Sequence, residues 1–220
     1  KSKGNALKPA DLVAIFGVDA YRYYFMSDVQ FGHDGSISME RMVQVYNNEL
    51  ANTWGNLVSR VTNMTKKYFD GKVPTPPAGA EDNPLACEAA TLYADYDAAM
   101  ELVDFTGAAA AVQRLAQRAN LYIEQTEPFR LAKDPAKADE LAAVMYNLLE
   151  AIRVIALYMA PFAPTTSAEV FQRLGLGDIA QVDDIQAATA WGQLPAGSPV
   201  AVGDALFPRL DVDAIDLEME

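Results

Sequence analysis

The chain has 220 residues, of which 51% are hydrophobic and 21% are charged, so it can bury a full core in one large domain or two small ones. With one cysteine and one histidine, it can form neither an internal disulfide framework nor a cysteine–histidine zinc cluster. The formal net charge of −13 argues against general binding to a nucleic-acid backbone, including DNA, because such binding depends on Lys and Arg.

The acidic charge is concentrated toward the C-terminus. Residues 1–137 contain 14 basic and 17 acidic side chains, whereas residues 138–220 contain 3 basic and 13 acidic ones. The first part can therefore carry a basic strip, and reading of unstacked bases relies on stacking and hydrogen bonds more than on net charge. No apolar stretch approaches about 18 uninterrupted residues and no signal peptide is recognisable, so we expect a cytoplasmic protein without a membrane partner.

The first predicted elements are two short helices, at 9–16 and 18–27, separated by Gly17. Residues 31–36 form a predicted turn-rich loop that has room for a short extended piece. Three tyrosines of the second helix are predicted to pack with hydrated hydroxyls: Tyr21, Tyr23 and Tyr24.

A long helix is predicted next. Ser38 is its expected N-cap, and Asp70 and Gly71 are expected to end it after Phe69. Large apolar residues recur along it at steps of three and four, which predicts one stripe facing a core. Trp54 lies on this stripe, so we expect it in the core rather than at a binding surface.

A proline-rich linker is predicted over 73–84. Three more helical patterns follow it: 85–103, 105–125 and 141–159. A short helix is predicted at 167–174, and Trp191 is expected to pack the turn-forming stretch 178–202 back onto the helices. The fold class is therefore mainly α, an antiparallel helical bundle preceded by a small helical connector.

One polar row on the long helix carries the best binding candidates. Asn52, Asn56 and Arg60 are spaced four residues apart, which places them on one helix face. Asparagine offers a donor and an acceptor together, and arginine offers a planar fork that can also stack on a base. Such a row can read a base edge, and the alternative interpretation is a solvated helix face.

The first five residues, Lys-Ser-Lys-Gly-Asn, form a basic run that suits phosphate oxygens, with a solvated chain end as the alternative. Together with Gly-Val-Asp-Ala-Tyr-Arg-Tyr-Tyr at 17–24, this run resembles the segment downstream of the KMSKS signature in class I aminoacyl-tRNA synthetases. Residues 48–60, Phe-Gly-His-Asp-Gly at 31–35 and Leu-Phe-Pro-Arg at 206–209 resemble the methionyl-tRNA synthetases in particular. The resemblance covers most of the chain.

The resemblance implies where the chemistry of an intact enzyme lies. Lys1 and Ser2 match the last lysine and serine of the signature, which places positive charge against the ATP phosphates as pyrophosphate leaves. With ATP and Mg²⁺, enzymes of the family convert methionine to methionyl-adenylate and transfer it to tRNA(Met). The nucleotide-binding domain would lie upstream, so we expect this chain alone to be inactive and to hold no cofactor or metal.

The resemblance also implies anticodon-binding residues. In the family an Asn-x-x-x-Arg pair helps to recognise the CAU anticodon, and here that pair is Asn56 and Arg60, with Asn52 as an accessory residue at most. An aromatic residue after a proline, usually tryptophan, stacks on an anticodon base, and here Phe129 follows Pro128. Phenylalanine keeps a stacking face but loses area and the indole N–H. Without the resemblance, Phe129 would be interpreted as a core anchor beside a helix start.

These features give a prediction of domains. A KMSKS remnant and stem-contact connector occupies 1–37, an anticodon-binding bundle occupies 38–177, and a C-terminal extension with an acidic tail occupies 178–220. We expect a monomer whose partner is tRNA(Met). Two alternatives stay open: another class I synthetase, of the cysteine or the leucine–isoleucine–valine group, and a helical module that binds proteins and no RNA.

Overall fold

Helices form almost all of the regular structure in the computed structural model, which describes residues 8–32 and 37–211. The predicted phosphate-loop residues Lys1 and Ser2 lie outside the described residues, as does most of the predicted loop at 31–36. Within the described ranges, the only β pairing is an isolated antiparallel bridge between Lys72 and Pro199.

Two short helices begin the described chain, α1 (Pro9–Phe16) and α2 (Val18–Ser27), with the bounds predicted from the sequence. Gly17 joins them with φ 80° and ψ 161°, a conformation that side chains other than glycine rarely adopt. Proline at the start of α1 is compatible with the first helical position, where no intrahelical N–H bond is lost.

The predicted long helix is confirmed at both ends but differs in its interior. It consists of α3 (Met39–Val45), a π-helical section (Tyr46–Gly55) and α4 (Asn56–Tyr68) in direct succession. The Ser38 side chain caps the start by accepting a hydrogen bond from Arg41 N at 3.1 Å. The helix ends before Asp70 and Gly71, which have φ values of 52° and 72°.

The remaining helices form the bundle. In chain order they are α5 (Pro84–Glu101), α6 (Phe105–Thr126), α7 (Pro128–Leu131), α8 (Ala138–Met159), α9 (Pro164–Arg173) and α10 (Ile185–Ala188). Short 3-10 turns precede α8 at Pro135–Lys137 and follow α9 at Ile179–Gln181. The four longer predicted helices are confirmed, whereas α7 and α10 were not predicted because four residues are too few for an apolar period to show.

Helix α8 is the centre of the bundle and packs against α4, α5, α6 and α9. The span Pro135–Met159 is long and apolar enough to cross a membrane, but 89% of its most apolar window is buried inside the protein. Burial on all sides is what an all-round apolar helix requires, and here the other helices supply it. Trp54 on the long helix is fully buried, which confirms the prediction that it belongs to the core.

The stretch after α9 packs on the bundle although it contains little regular structure. Trp191 is partly buried against the core, as predicted. The carboxylate of Glu150 on α8 accepts hydrogen bonds from three consecutive backbone N–H groups: Gly192, Gln193 and Leu194. The first residues of the predicted linker are also engaged, because Val73 N donates to Ser198 O at 2.9 Å.

The connector is fastened to the bundle by buried polar side chains. Asp19 caps α9 by accepting hydrogen bonds from Thr166 N at 2.6 Å and Thr166 Oγ1 at 2.7 Å. Tyr23 donates to Glu49 Oε2 at 2.5 Å and accepts a hydrogen bond from Gln113 Nε2 at 2.8 Å. Burial, together with the Glu49 carboxylate, raises the pKa of the Tyr23 hydroxyl well above its ordinary value, so it remains a donor.

The prediction of hydrated tyrosine hydroxyls is therefore wrong for Tyr23. The side chain has no exposure to solvent, and the partners of its hydroxyl are protein groups from the π-helical section and α6. The hydroxyl of Tyr24 is buried as well. The sequence pattern identified these rings as packing residues but contained no sign of partners that lie 26 and 90 residues away from Tyr23.

Candidate functional site

The polar row predicted on the long helix is accessible to solvent but does not have a single helical register. Asn52 and Asn56 are exposed, and Arg60 is partly exposed. Asn56 and Arg60 both lie in α4, so they are one α-helical turn apart on one face. Asn52 lies in the π-helical section, where the backbone N–H of Asn56 bonds to the carbonyl of Ala51, five residues earlier. Asn56 and Arg60 thus have the predicted α-helical i, i+4 spacing, whereas Asn52 precedes Asn56 by four residues of π-helical backbone.

Arg60 is held by an acidic side chain that the sequence analysis did not identify. Its Nη2 donates to Glu124 Oε1 on α6 at 2.8 Å, and the two side chains are 35% and 62% exposed. Sixty-four residues separate this pair, and no spacing rule links positions so far apart. Elsewhere in the described ranges no second protein acceptor bonds the guanidinium, so N–H donors remain for a ligand.

Phe129 lies at a sharp turn between α6 and α7. Glu127 has the left-handed conformation, with φ 44° and ψ 58°, and Pro128 begins α7 with its ring buried. The next residue, Phe129, is 43% exposed. This exposure contradicts the alternative interpretation of Phe129 as a core anchor. A non-glycine residue with positive φ is costly, and such residues cluster at functional sites.

Arg60 and Phe129 are brought to the same end of α6. The Arg60–Glu124 pair anchors α4 at the last turns of that helix, and Glu124 is only five positions before Phe129 in the chain. We call Asn56, Arg60, Glu124 and Phe129 the α4–α7 surface. It combines an amide, a guanidinium, a carboxylate and an open aromatic face, which together can hydrogen-bond and stack on unpaired bases.

Basic side chains extend this surface along α4. Lys66 and Lys67 are exposed in the last turn of the helix, and Lys72 is exposed just beyond it. Lys67 is seven residues after Arg60, so it lies about two helical turns away on the same side. This arrangement agrees with the basic strip predicted for the first part of an acidic chain.

The α4–α7 surface suits binding rather than covalent chemistry. None of its members is a nucleophile with a neighbouring base. In the part of the chain that the structure describes, no three side chains among His, Cys, Asp and Glu come together as metal ligands. Recognition of a ligand by hydrogen bonds and stacking is therefore what the geometry offers.

Comparisons with known families agree with this chemistry. The family described as the anticodon binding domain of methionyl tRNA ligase matches residues 73–217. The family described as tRNA synthetases class I (M) matches residues 1–62. The two matches together leave only residues 63–72 and 218–220 uncovered, and both name the methionine enzyme.

Curated proteins with similar sequences are also methionine–tRNA ligases. The methionine–tRNA ligase of Caldanaerobacter subterraneus subsp. tengcongensis is 40% identical over 219 residues, which cover 97% of this chain and 33% of that protein. The methionine–tRNA ligase of Bacillus subtilis is 39% identical over 215 residues, covering 97% of this chain and 32% of that protein. The chain thus spans about a third of the length of these curated relatives.

Solved structures show the same fold. The Mycobacterium tuberculosis methionyl-tRNA synthetase in complex with methionyl-adenylate superimposes with a TM-score of 0.86 at 29% identity, over 94% of this chain and 40% of that one. The apo form of that synthetase gives a TM-score of 0.84 over 93% of this chain and 41% of that one.

Proposed function

Because this chain belongs to the methionyl-tRNA ligase family, we propose that it recognises the CAU anticodon of tRNA(Met) through the α4–α7 surface. Phe129 stacks on one anticodon base, while Asn56 and Arg60 hydrogen-bond to base edges, with Asn52 as an accessory residue at most. The observation that carries the proposal is the 43% exposure of Phe129 at a turn stabilised by the buried Pro128. A large exposed ring in this setting supports stacking, which contributes about 1–3 kcal/mol per base in comparable sites.

We propose the remaining parts of the function for the intact protein. It would join methionine to tRNA(Met) with ATP and Mg²⁺ by way of methionyl-adenylate, with Lys1 and Ser2 against the ATP phosphates. It would act in the cytoplasm, with a connector over 1–37, the bundle over 38–177 and the extension over 178–220. The 220-residue chain alone would be monomeric and inactive, and measurable ATP–pyrophosphate exchange by it would contradict that expectation.

The decisive experiment is a titration with two RNAs. The first is initiator tRNA(Met) with its CAU anticodon, and the second is the same tRNA with an altered anticodon. We expect the chain to prefer the CAU tRNA and the preference to fall in Arg60→Ala. Equal affinity for both RNAs would contradict the proposal.

A matched control is available on α6. Arg114 is also a partly exposed arginine in an ion pair, with Asp95 and Glu88, and its side chain is 48% exposed. Arg114→Ala removes the same charge about three turns before Glu124, so it should leave the preference for CAU unchanged.

The net charge of −13 favours one other function, a helical module that binds proteins and no RNA. Under that alternative, the environments of Phe129 and Asn56 would not respond to tRNA even at low salt, where electrostatic attraction to RNA is strongest. An NMR titration that shows shifts at these two positions would exclude it.

A further inference from the structure

The π-helical section determines the direction in which the candidate site faces. Its hydrogen bonds span five residues instead of four, as the bond from Asn56 N to Ala51 O shows, and Thr53 Oγ1 donates to Asn48 O at 2.7 Å across the same interval. Long π-helical sections are rare and are frequently found at functional sites. Shifting the register by one residue rotates everything that follows by about 100° around the helix axis. The orientation of Asn56 and Arg60 therefore depends on this section.

The section is closely fitted at its last residue. A methyl group added at Gly55 would lie 3.1 Å from the carbonyl oxygen of Leu50 and 3.6 Å from the ring of Phe207. The first distance is tight even for well-packed protein, because the five-residue bonding brings the Leu50 carbonyl close to Gly55. The second distance shows that a segment distant in sequence lies against the same turn.

That segment, residues 206–210, we call the C-terminal strap. The ring of Phe207 lies 5.8 Å from the ring of Trp54 and 5.8 Å from that of Tyr46, centroid to centroid. Asn47 makes two hydrogen bonds to the backbone of Leu210, accepting from its N–H at 2.9 Å and donating to its carbonyl at 2.8 Å. The strap thus contacts both ends of the π-helical section.

A third contact comes from the bundle. Asn120 on α6 donates from Nδ2 to the carbonyl oxygen of Thr53 at 2.9 Å and to that of Ala116 at 3.0 Å. The first of these bonds is available only while the Thr53 carbonyl faces α6. A return to α-helical register would turn that carbonyl away from Asn120.

We propose that Asn47 and Asn120 are positioning residues that hold the π-helical register and so aim Asn56 and Arg60 at the anticodon. Neither asparagine need contact the RNA, and both act through the rotation of α4. This inference rests on the proposed function, because the direction of α4 matters for recognition only if α4 reads the anticodon.

The test measures the ratio of affinities for the CAU tRNA and the altered tRNA in Asn47→Ala and Asn120→Ala. We expect each variant to lower the ratio by about five-fold or more, and Asn120→Ala to add nothing once Asn56→Ala and Arg60→Ala are both present, because Asn120 acts only through these two side chains. Asn147→Ala is the matched control, since Asn147 Nδ2 also donates to a distant carbonyl, Ala80 O at 2.9 Å, but this bond joins α8 to the segment before α5 and involves neither the π-helical section nor the strap.

A spectroscopic readout separates register from general stability. The chain has two tryptophans, so Trp191→Phe leaves Trp54 as the only one. In that background, Asn47→Ala and Asn120→Ala should shift the emission of the buried Trp54, whereas Asn147→Ala should lower the urea midpoint without such a shift. If Asn47→Ala does not fold, Asn47→Asp is used in place of that variant. Aspartate keeps the acceptor for Leu210 N–H and removes the donor to Leu210 O.

The outcomes are distinguishable. An unchanged ratio in both asparagine variants, or an effect of Asn120→Ala that persists in the Asn56→Ala, Arg60→Ala double variant, would overturn the inference while leaving the proposed function intact. A wild-type chain without preference for CAU would refute the proposed function, and this inference with it.

Discussion

Glu150 and Arg153 form an ion pair one turn apart on α8, with side-chain exposures of 0% and 5%. Arg153 donates from Nε to Oε2 at 2.9 Å and from Nη2 to Oε1 at 2.6 Å, a two-bond geometry that fits both groups. The other bonds of the pair go to the last residue of α10 and to the backbone that follows it. The pair therefore attaches an irregular segment to the centre of the bundle.

Removing the charge of one member of this pair should lower the stability of the protein. Glu150→Gln leaves Arg153 buried without its counter-charge and replaces one of the two oxygens that accept from three backbone N–H groups with an amide donor, so we expect a loss of about 3–5 kcal/mol in the free energy of unfolding. Urea unfolding measures it. Glu140→Gln is the control, because the Glu140–Lys137 pair is about half exposed and should contribute little. Equal losses in the two variants would contradict this account.

Phe129 offers a graded test of stacking. Phe129→Ala should weaken binding of the CAU tRNA by about 1–3 kcal/mol, and Phe129→Trp should strengthen it, because the indole offers a larger face. Leu121→Ala is the control, since Leu121 is 46% exposed on α6 and belongs to no part of the α4–α7 surface. Titrations by fluorescence anisotropy measure all three, and an affinity that does not depend on residue 129 would exclude stacking.

Lys67 should contribute affinity without selectivity. Its exposed ammonium on the same side of α4 as Arg60 suits a phosphate, so Lys67→Ala should weaken binding of both tRNAs equally. The slope of log affinity against log salt should become shallower by about 0.7–0.9. Lys137→Ala removes a lysine already paired with Glu140 and should leave the slope unchanged. A change in the ratio between the two tRNAs would show that Lys67 reads bases.

Val103 is a position where glycine should stabilise the protein. It follows the C-cap residue of α5, Leu102, and has φ 57°, a conformation that suits glycine and is strained for a β-branched side chain. We expect Val103→Gly to raise the free energy of unfolding by about 1 kcal/mol, while Val103→Ala, which keeps the strain, should give no comparable gain. Thermal or urea unfolding compares them. If glycine is no better than alanine, the strain is absorbed elsewhere.

The sequence allowed the main helices to be predicted because their signals are local. Ser38 is a strong N-cap type, and Gly17 and Gly71 mark helix ends by their freedom to adopt positive φ. The apolar stripe of the long helix was correctly assigned to the core. The stripe could not reveal the π-helical section, because apolar steps of three and four residues are compatible with both α-helical and π-helical backbone.

The site was predictable only in part, for a related reason. Asn56, Arg60 and Phe129 belong to short motifs, whereas Glu124 becomes relevant only when α4 packs beside α6. Likewise, Glu150 and Arg153 read as charged residues on a mostly apolar helix, and their backbone partners lie 35 to 44 residues later. Partners this far apart are specified by the fold, and no local pattern records them.

The two hydrogen bonds between Asn47 and Leu210 connect residues 163 positions apart. During synthesis on the ribosome, the long helix emerges before the C-terminal strap, and the bundle helices lie between them in the chain. The π-helical section can therefore acquire its contacts with the strap only after the chain has been made through Leu210. The final orientation of α4 thus becomes a late folding event relative to the bundle helices, and a chain that lacks the strap would form these helices without the contacts that the strap supplies.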